Sequence, residues 1–114
     1  SNDLVAAADS PDPIEVQTYV PVDKTLVKKA LIKMLVVGPS PLKFWSMRII
    51  DQWAQNPKHS IPGTVKEKRD ATHDLLKEGI LAKREIDLTP LGKKGFANET
   101  YVVETKARES GYLE

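Results

Sequence analysis

His59 and His73 are the only histidines in the chain, which contains no cysteine. Thiolate ligands, disulfides and the His-Glu-x-x-His spacing of a zinc site are therefore all missing, and no metal or other cofactor is expected. Ser46, Ser60 and Ser110 lie outside any nucleophile-elbow pattern. No glycine-rich loop ends in Gly-Lys-Ser/Thr, so nucleophilic and nucleotide-driven catalysis lack their usual machinery. Asp70 and His73 stand three residues apart and could exchange a proton, but on an exposed helix surface such a pair is ordinarily a weak ion pair. The expectation is a protein that binds rather than one that catalyses. The groups left to do chemistry are the bases, and their distribution is uneven.

Residues 1–23 hold five acids and no base, residues 24–97 hold fifteen bases against seven acids, and residues 98–114 hold two bases against four acids. A net charge of +1 thus conceals a central body of +8. That charge draws a polyanion if the lysines share a surface, whereas an evenly mixed surface would only keep the chain solvated. With 114 residues, 40% apolar and 6% aromatic, the chain has the material for one domain with an aliphatic core. The longest apolar run, residues 30–37 with Lys33 inside it, is well below the ~20 residues needed to cross a bilayer, so no membrane partner is expected. The absence of cysteine fits a reducing cytoplasm. Ser1 and Asn2 have the look of a cloning remnant, Leu113 and Glu114 could be another, and the missing initiator Met reads as a piece of a longer protein.

Three helices and two strands must position the bases. Residues 1–22 read as an acidic, proline-bearing tail or linker, with Asp9-Ser10-Pro11-Asp12-Pro13 at its centre and a loosely alternating Ile14 to Val22 at its end. Asp23 is placed to cap a helix from Lys24, in which Val27, Ala30, Leu31, Met34 and Leu35 form one stripe. Gly38, Pro39 and Pro41 stop it. Ser40 and Pro41 suit the start of a second helix, with Leu42, Trp45, Ile49 and Trp53 inward, Phe44 and Ile50 flanking, and Asn56-Pro57 at its end. Trp45 and Trp53 then share a face and belong to the core.

Thr64-Val65-Lys66-Glu67 matches a capping box. The third helix therefore runs from Val65 to Glu78, ended by Gly79, with Val65, Ala71, Thr72, Leu75 and Leu76 inward. Residues 80–88 and 99–106 read as strands, and Thr89 to Asn98 as a long loop between them. Phe96 in that loop could wedge beside a base, although a lone loop aromatic more often packs on its own hairpin.

The stretch Leu75-Leu76-Lys77-Glu78-Gly79-Ile80-Leu81-Ala82-Lys83-Arg84 resembles the junction in winged helix-turn-helix DNA-binding domains where the recognition helix enters the wing hairpin. The resemblance spans about residues 23–106 and points to a superfamily rather than to one protein. It implies an α+β fold: a three-helix winged helix-turn-helix domain over residues 23–107 with a C-terminal two-stranded wing hairpin, followed by a tail at 108–114. It further implies that the third helix lies in a major groove, with Lys66, Lys68 and Arg69 as DNA contacts and His73 and Lys77 further along its exposed side. Thr64 and the helix N-terminal amides would take a phosphate, and Lys93 and Lys94 at the wing tip would meet the backbone or the minor groove.

The function implied is duplex DNA binding, within a transcriptional regulator or a DNA replication protein of the cytoplasm and nucleoid. Its partners would be double-stranded DNA, with a homodimer mate or the other domains of a larger chain. Lys66, Lys68 and Lys77 alternate with Glu67, Asp70, Asp74 and Glu78, which departs from the strongly basic helices of DNA readers. The alternative is a winged helix used for protein interaction or oligomerisation. That reading requires an exposed apolar patch from residues such as Phe44, Met47 or Ile50.

Overall fold

The computed structural model describes residues 19–38 and 45–114. The readings placed on residues 1–18 and on Pro39, Ser40, Pro41, Leu42 and Phe44 lie outside them. Helix α1 spans Lys24–Val37, and the Asp23 carboxylate accepts from the Thr25 amide at 2.9 Å. Val27, Leu31, Met34 and Leu35 are buried along it, as their spacing predicts, together with Ile32.

Helix α2 spans Met47–Gln55 and starts later than expected. Ser46, in extended backbone, caps it by accepting from the Ile49 amide at 3.1 Å. Trp45 is thereby left outside the helix, and it exchanges two backbone hydrogen bonds with Thr100, Trp45 N–H to Thr100 O at 2.9 Å and Thr100 N–H to Trp45 O at 2.7 Å. The two tryptophans do meet in the core, edge to face with ring centroids 6.4 Å apart, but from different elements. The inner face of α2 is Ile50 and Ala54, both buried, while Ile49 turns toward solvent. This exchanges the expected places of the two isoleucines. The chain then passes through a 3-10 turn, Pro57–His59, to the buried Ile61.

Helix α3 spans Val65–Lys77 and opens with the predicted capping box: the Glu67 amide donates to Thr64 Oγ1 at 3.1 Å, and the Thr64 amide donates to Glu67 Oε1 at 2.8 Å. Ala71, Thr72 and Leu75 are buried and Leu76 packs beside them, but Val65, expected inward, is 49% exposed. Gly79, at φ +75°, reverses the chain. Its amide reaches Leu76 O at 3.1 Å and the Ile80 amide reaches Leu75 O at 3.0 Å, closing a Schellman motif over two buried side chains.

Strand β1, Leu81–Asp87, pairs antiparallel with β2, Phe96–Val102, from Leu81 opposite Val102 to Asp87 opposite Phe96. Pairing carried out as far as Phe96 shortens the expected loop. Its first turn is a 3-10 segment, Thr89–Leu91, and the Leu88 amide bonds Gly95 O at 3.0 Å to close the hairpin. The second strand does not run on to Lys106. Helix α4, Glu104–Glu109, takes over, with an acid in its first turn, bases in its last, and Ala107 fully buried. The Tyr112 amide then bonds Ala107 O at 2.8 Å, and Tyr112 and Leu113 pack on the core, so the stretch read as a C-terminal tail closes against the domain.

The described residues thus form an α+β fold of four α-helices and a two-stranded antiparallel hairpin that follows α1, α2 and α3. Helix α3 is the central element and packs against α1, α2 and β1. Among the described residues, no helix is long and apolar enough to cross a membrane.

Candidate nucleic-acid interface

Helix α3 is clamped on three sides, which decides what its fourth side can do. Ala71, Thr72 and Leu75 bury one face. Along one flank, Lys24 Nζ meets Asp74 Oδ2 at 2.8 Å and Lys28 Nζ meets Glu78 Oε2 at 2.5 Å, both reaching across from α1. The Lys24 ammonium holds the Asp74 carboxyl below the usual carboxylate range. Burial pulls the Lys28 ammonium down, but hydrogen bonding to Glu78 and the nearby Tyr112 outweigh it and leave it above the ordinary lysine value. From the other side, Arg69 donates through Nε to Asp51 Oδ1 at 3.0 Å and through Nη2 to Asp51 Oδ2 at 3.1 Å, a two-pronged link to α2 that lowers the Asp51 pKa.

At about 100° per residue, Lys66, Asp70, His73 and Lys77 fall on one stripe opposite the buried face, with Arg69 at its edge. Lys66, Arg69, His73 and Lys77 are exposed, so the structure brings these four predicted residues to one open surface. Lys68 does not join them. It lies in line with Leu75 on the inward side and is half-buried. Lys93 and Lys94 sit on a separate element, exposed in the hairpin loop between Gly92 and Gly95.

The charges on the stripe are partly neutralised. Lys66 meets Asp70 at 2.8 Å, and that carboxylate raises the Lys66 pKa. His73, Lys77, Lys93 and Lys94 form no ion pair with a described residue. The helix N-terminus, where a phosphate was expected beside Thr64, already holds a carboxylate. Glu67 accepts from the Thr64 amide, from the Val22 amide at 3.1 Å and from the Tyr19 hydroxyl. Chiefly through the Tyr19 hydrogen bond, then the Thr64 amide, its pKa falls to about 2.

Met47, Arg48, Asp51, Arg69, Thr72 and His73 line a shallow groove of about 280 Å³ between α2 and α3. Arg48 is the cation that sequence reasoning missed. Its signal was the Ser46 cap, which once recognised places Arg48 in the first turn of a helix leading toward α3. Phe96 does not fold back on its hairpin as the commoner pattern would have it. It is 63% exposed and Leu91 is 70% exposed, on either side of Lys93 and Lys94 in the chain. The apolar patch required by an interaction module is not formed by the described residues named for it, since Ile50 is fully buried and Met47 packs on the core. Among the described residues, no group of three His, Asp or Glu side chains is placed to hold a metal ion. In comparison with known proteins, no family model, no curated protein and no solved structure matches this chain.

Proposed function

We propose that this chain is a winged helix domain that binds duplex DNA, as part of a transcriptional regulator or a DNA replication protein, and that it has no catalytic activity. The observation carrying the reading is the open face of α3, on which Lys66, Arg69, His73 and Lys77 are aligned while the helix's other sides are held by the fold. A helix presented in this way fits a major groove, and an exposed hairpin bearing Lys93 and Lys94 supplies a second cationic contact. With the N-terminus occupied by Glu67, this reading gives phosphate contact to side chains rather than to the helix-end amides.

The test is a fluorescence anisotropy titration of random-sequence duplex at two salt concentrations. Binding should weaken steeply with salt, because each phosphate neutralised releases counterions. Absent or salt-indifferent binding overturns the proposal. A second reading, a winged helix used for protein interaction or oligomerisation, is favoured by one observation: Lys66 and Arg69 already have carboxylate partners while Leu91 and Phe96 stand in solvent. Under that reading Phe96→Ser abolishes association detected by light scattering, and duplex affinity stays negligible.

A further inference from the structure

We propose that the loop between β1 and β2 is a wedge: Phe96 inserts at a base step of duplex DNA from the minor groove while Lys93 and Lys94 hold the flanking phosphates. This deepens the proposed DNA binding and rests on it, since it states what the hairpin does to the duplex.

The sheet explains why Phe96 stays in solvent. Residues paired across a ladder, and residues two apart along a strand, share one face. Phe96 stands opposite Asp87 and two residues before Asn98, both polar and exposed, so that face of the ladder gives its ring no apolar neighbour. The Asp87 carboxylate accepts from the Thr89 amide at 2.9 Å, which ties it into the turn. Leu91, at the end of the 3-10 turn, is exposed as well.

Backbone hydrogen bonds rather than side-chain burial shape the loop. The Leu91 and Lys93 amides donate to Leu88 O at 2.9 and 3.2 Å, the Gly92 amide to Thr89 O at 2.9 Å, and the Leu88 amide to Gly95 O at 3.0 Å. Gly92 and Gly95, at φ +76° and +90°, supply the positive-φ turns on either side of the two lysines. Leu91, Lys93, Lys94 and Phe96 are thus presented on a shaped backbone without being used by the fold, and little ordering remains to be done on binding.

Charge and area select the occupant. Residues 88–98 contain two lysines and no acid, and neither lysine is ion-paired with a described residue. Two copies of the tip set face to face would oppose these like charges. A fully buried aromatic side chain covers roughly 150–250 Å², so the exposed parts of Phe96 and Leu91 together offer on the order of 300 Å² or less. A stable protein interface takes about 800 Å² from each partner. A single ring beside unpaired cations fits a narrower target, apolar between its planes and anionic along its edges, which is a DNA base step. Pyrimidine–purine steps such as TA unstack most easily, so the wedge should choose them.

The test uses a duplex with 2-aminopurine at a central TA step and a fluorophore pair at its ends, titrated with the full chain and with Phe96→Ala. Because Phe96 is exposed, the variant should keep the parent's Tm. The parent should raise 2-aminopurine fluorescence severalfold and shorten the end-to-end distance. Phe96→Ala should bind the duplex within about tenfold of the parent while leaving both signals as in free DNA. Binding by the parent with neither signal changed, or equal signals from Phe96→Ala, overturns the wedge and leaves the proposed DNA binding intact. Absence of duplex binding by the parent sinks the proposed function, and the wedge with it. A parent dimer in light scattering that Phe96→Ala dissolves, without unstacking of the duplex, makes the tip an association surface and overturns the wedge.

Discussion

The Glu67 carboxylate accepts from Tyr19, Thr64 and Val22, three donors that become neighbours only in the folded chain. These bonds stabilise the charged form and depress its pKa from 4.5 to about 2. A carboxyl whose folded value lies below its unfolded one contributes stability that is fully present above the unfolded pKa and is lost as pH falls through the folded one. Glu67→Gln should accordingly lower Tm at neutral pH. The gap between variant and parent should close as pH falls from about 4.5 to about 2, as followed by thermal unfolding across that range. A gap constant down to pH 2 would mean that the charge of Glu67 has no part in it.

At the scale of elements, two junctions hold α3 in register. Its C-terminal end depends on Gly79, whose positive φ is costly for any residue with a Cβ. Gly79→Ala should cost roughly 1–2 kcal/mol, measured as a shifted midpoint of chemical unfolding with an unchanged m-value. A built Cβ there meets only the flexible end of Lys106, so crowding adds little. Its side toward α2 depends on the Arg69–Asp51 link, which also withholds a cation from the open face. Asp51→Ala should free Arg69 and tighten binding to random duplex about two- to fivefold at low salt, by anisotropy. Unchanged or weaker binding would place Arg69 outside the interface.

On the scale of the molecule, the proposed interface draws on two elements far apart in sequence, the open side of α3 and the loop between β1 and β2. The loop's share can be isolated through salt. If Lys93 and Lys94 each meet one phosphate, the double variant Lys93→Ala with Lys94→Ala loses about 2 from the slope of log affinity against log salt, and weakens binding to all sequences alike. A slope equal to that of the parent would leave the hairpin out of the interface. Exposed Leu91 and Phe96 add apolar surface near these lysines in the chain, which is why the loop is also where an interaction role would be detected.

Much of the local architecture was legible from neighbouring residues. The buried stripe of α1, the Asp23 cap, the Thr64–Glu67 box and the turn at Gly79 each depend on groups within one or two turns of each other, so spacing alone determines them. The alignment of Lys66, His73 and Lys77 follows from helix period for the same reason. Tertiary structure decided the rest. Trp45 leaves the helix to pair with Thr100, Arg69 reaches Asp51, Tyr19 reaches Glu67, and Ala107 fixes a short helix where a strand was expected. Each of these depends on surfaces that chain folding brings together from distant positions, and the hydrogen bonds and burial involved have no counterpart in the local pattern. The alignment of Lys66, His73 and Lys77 along one side of α3 was therefore readable in advance, while the reach of Arg69 across to Asp51 was not.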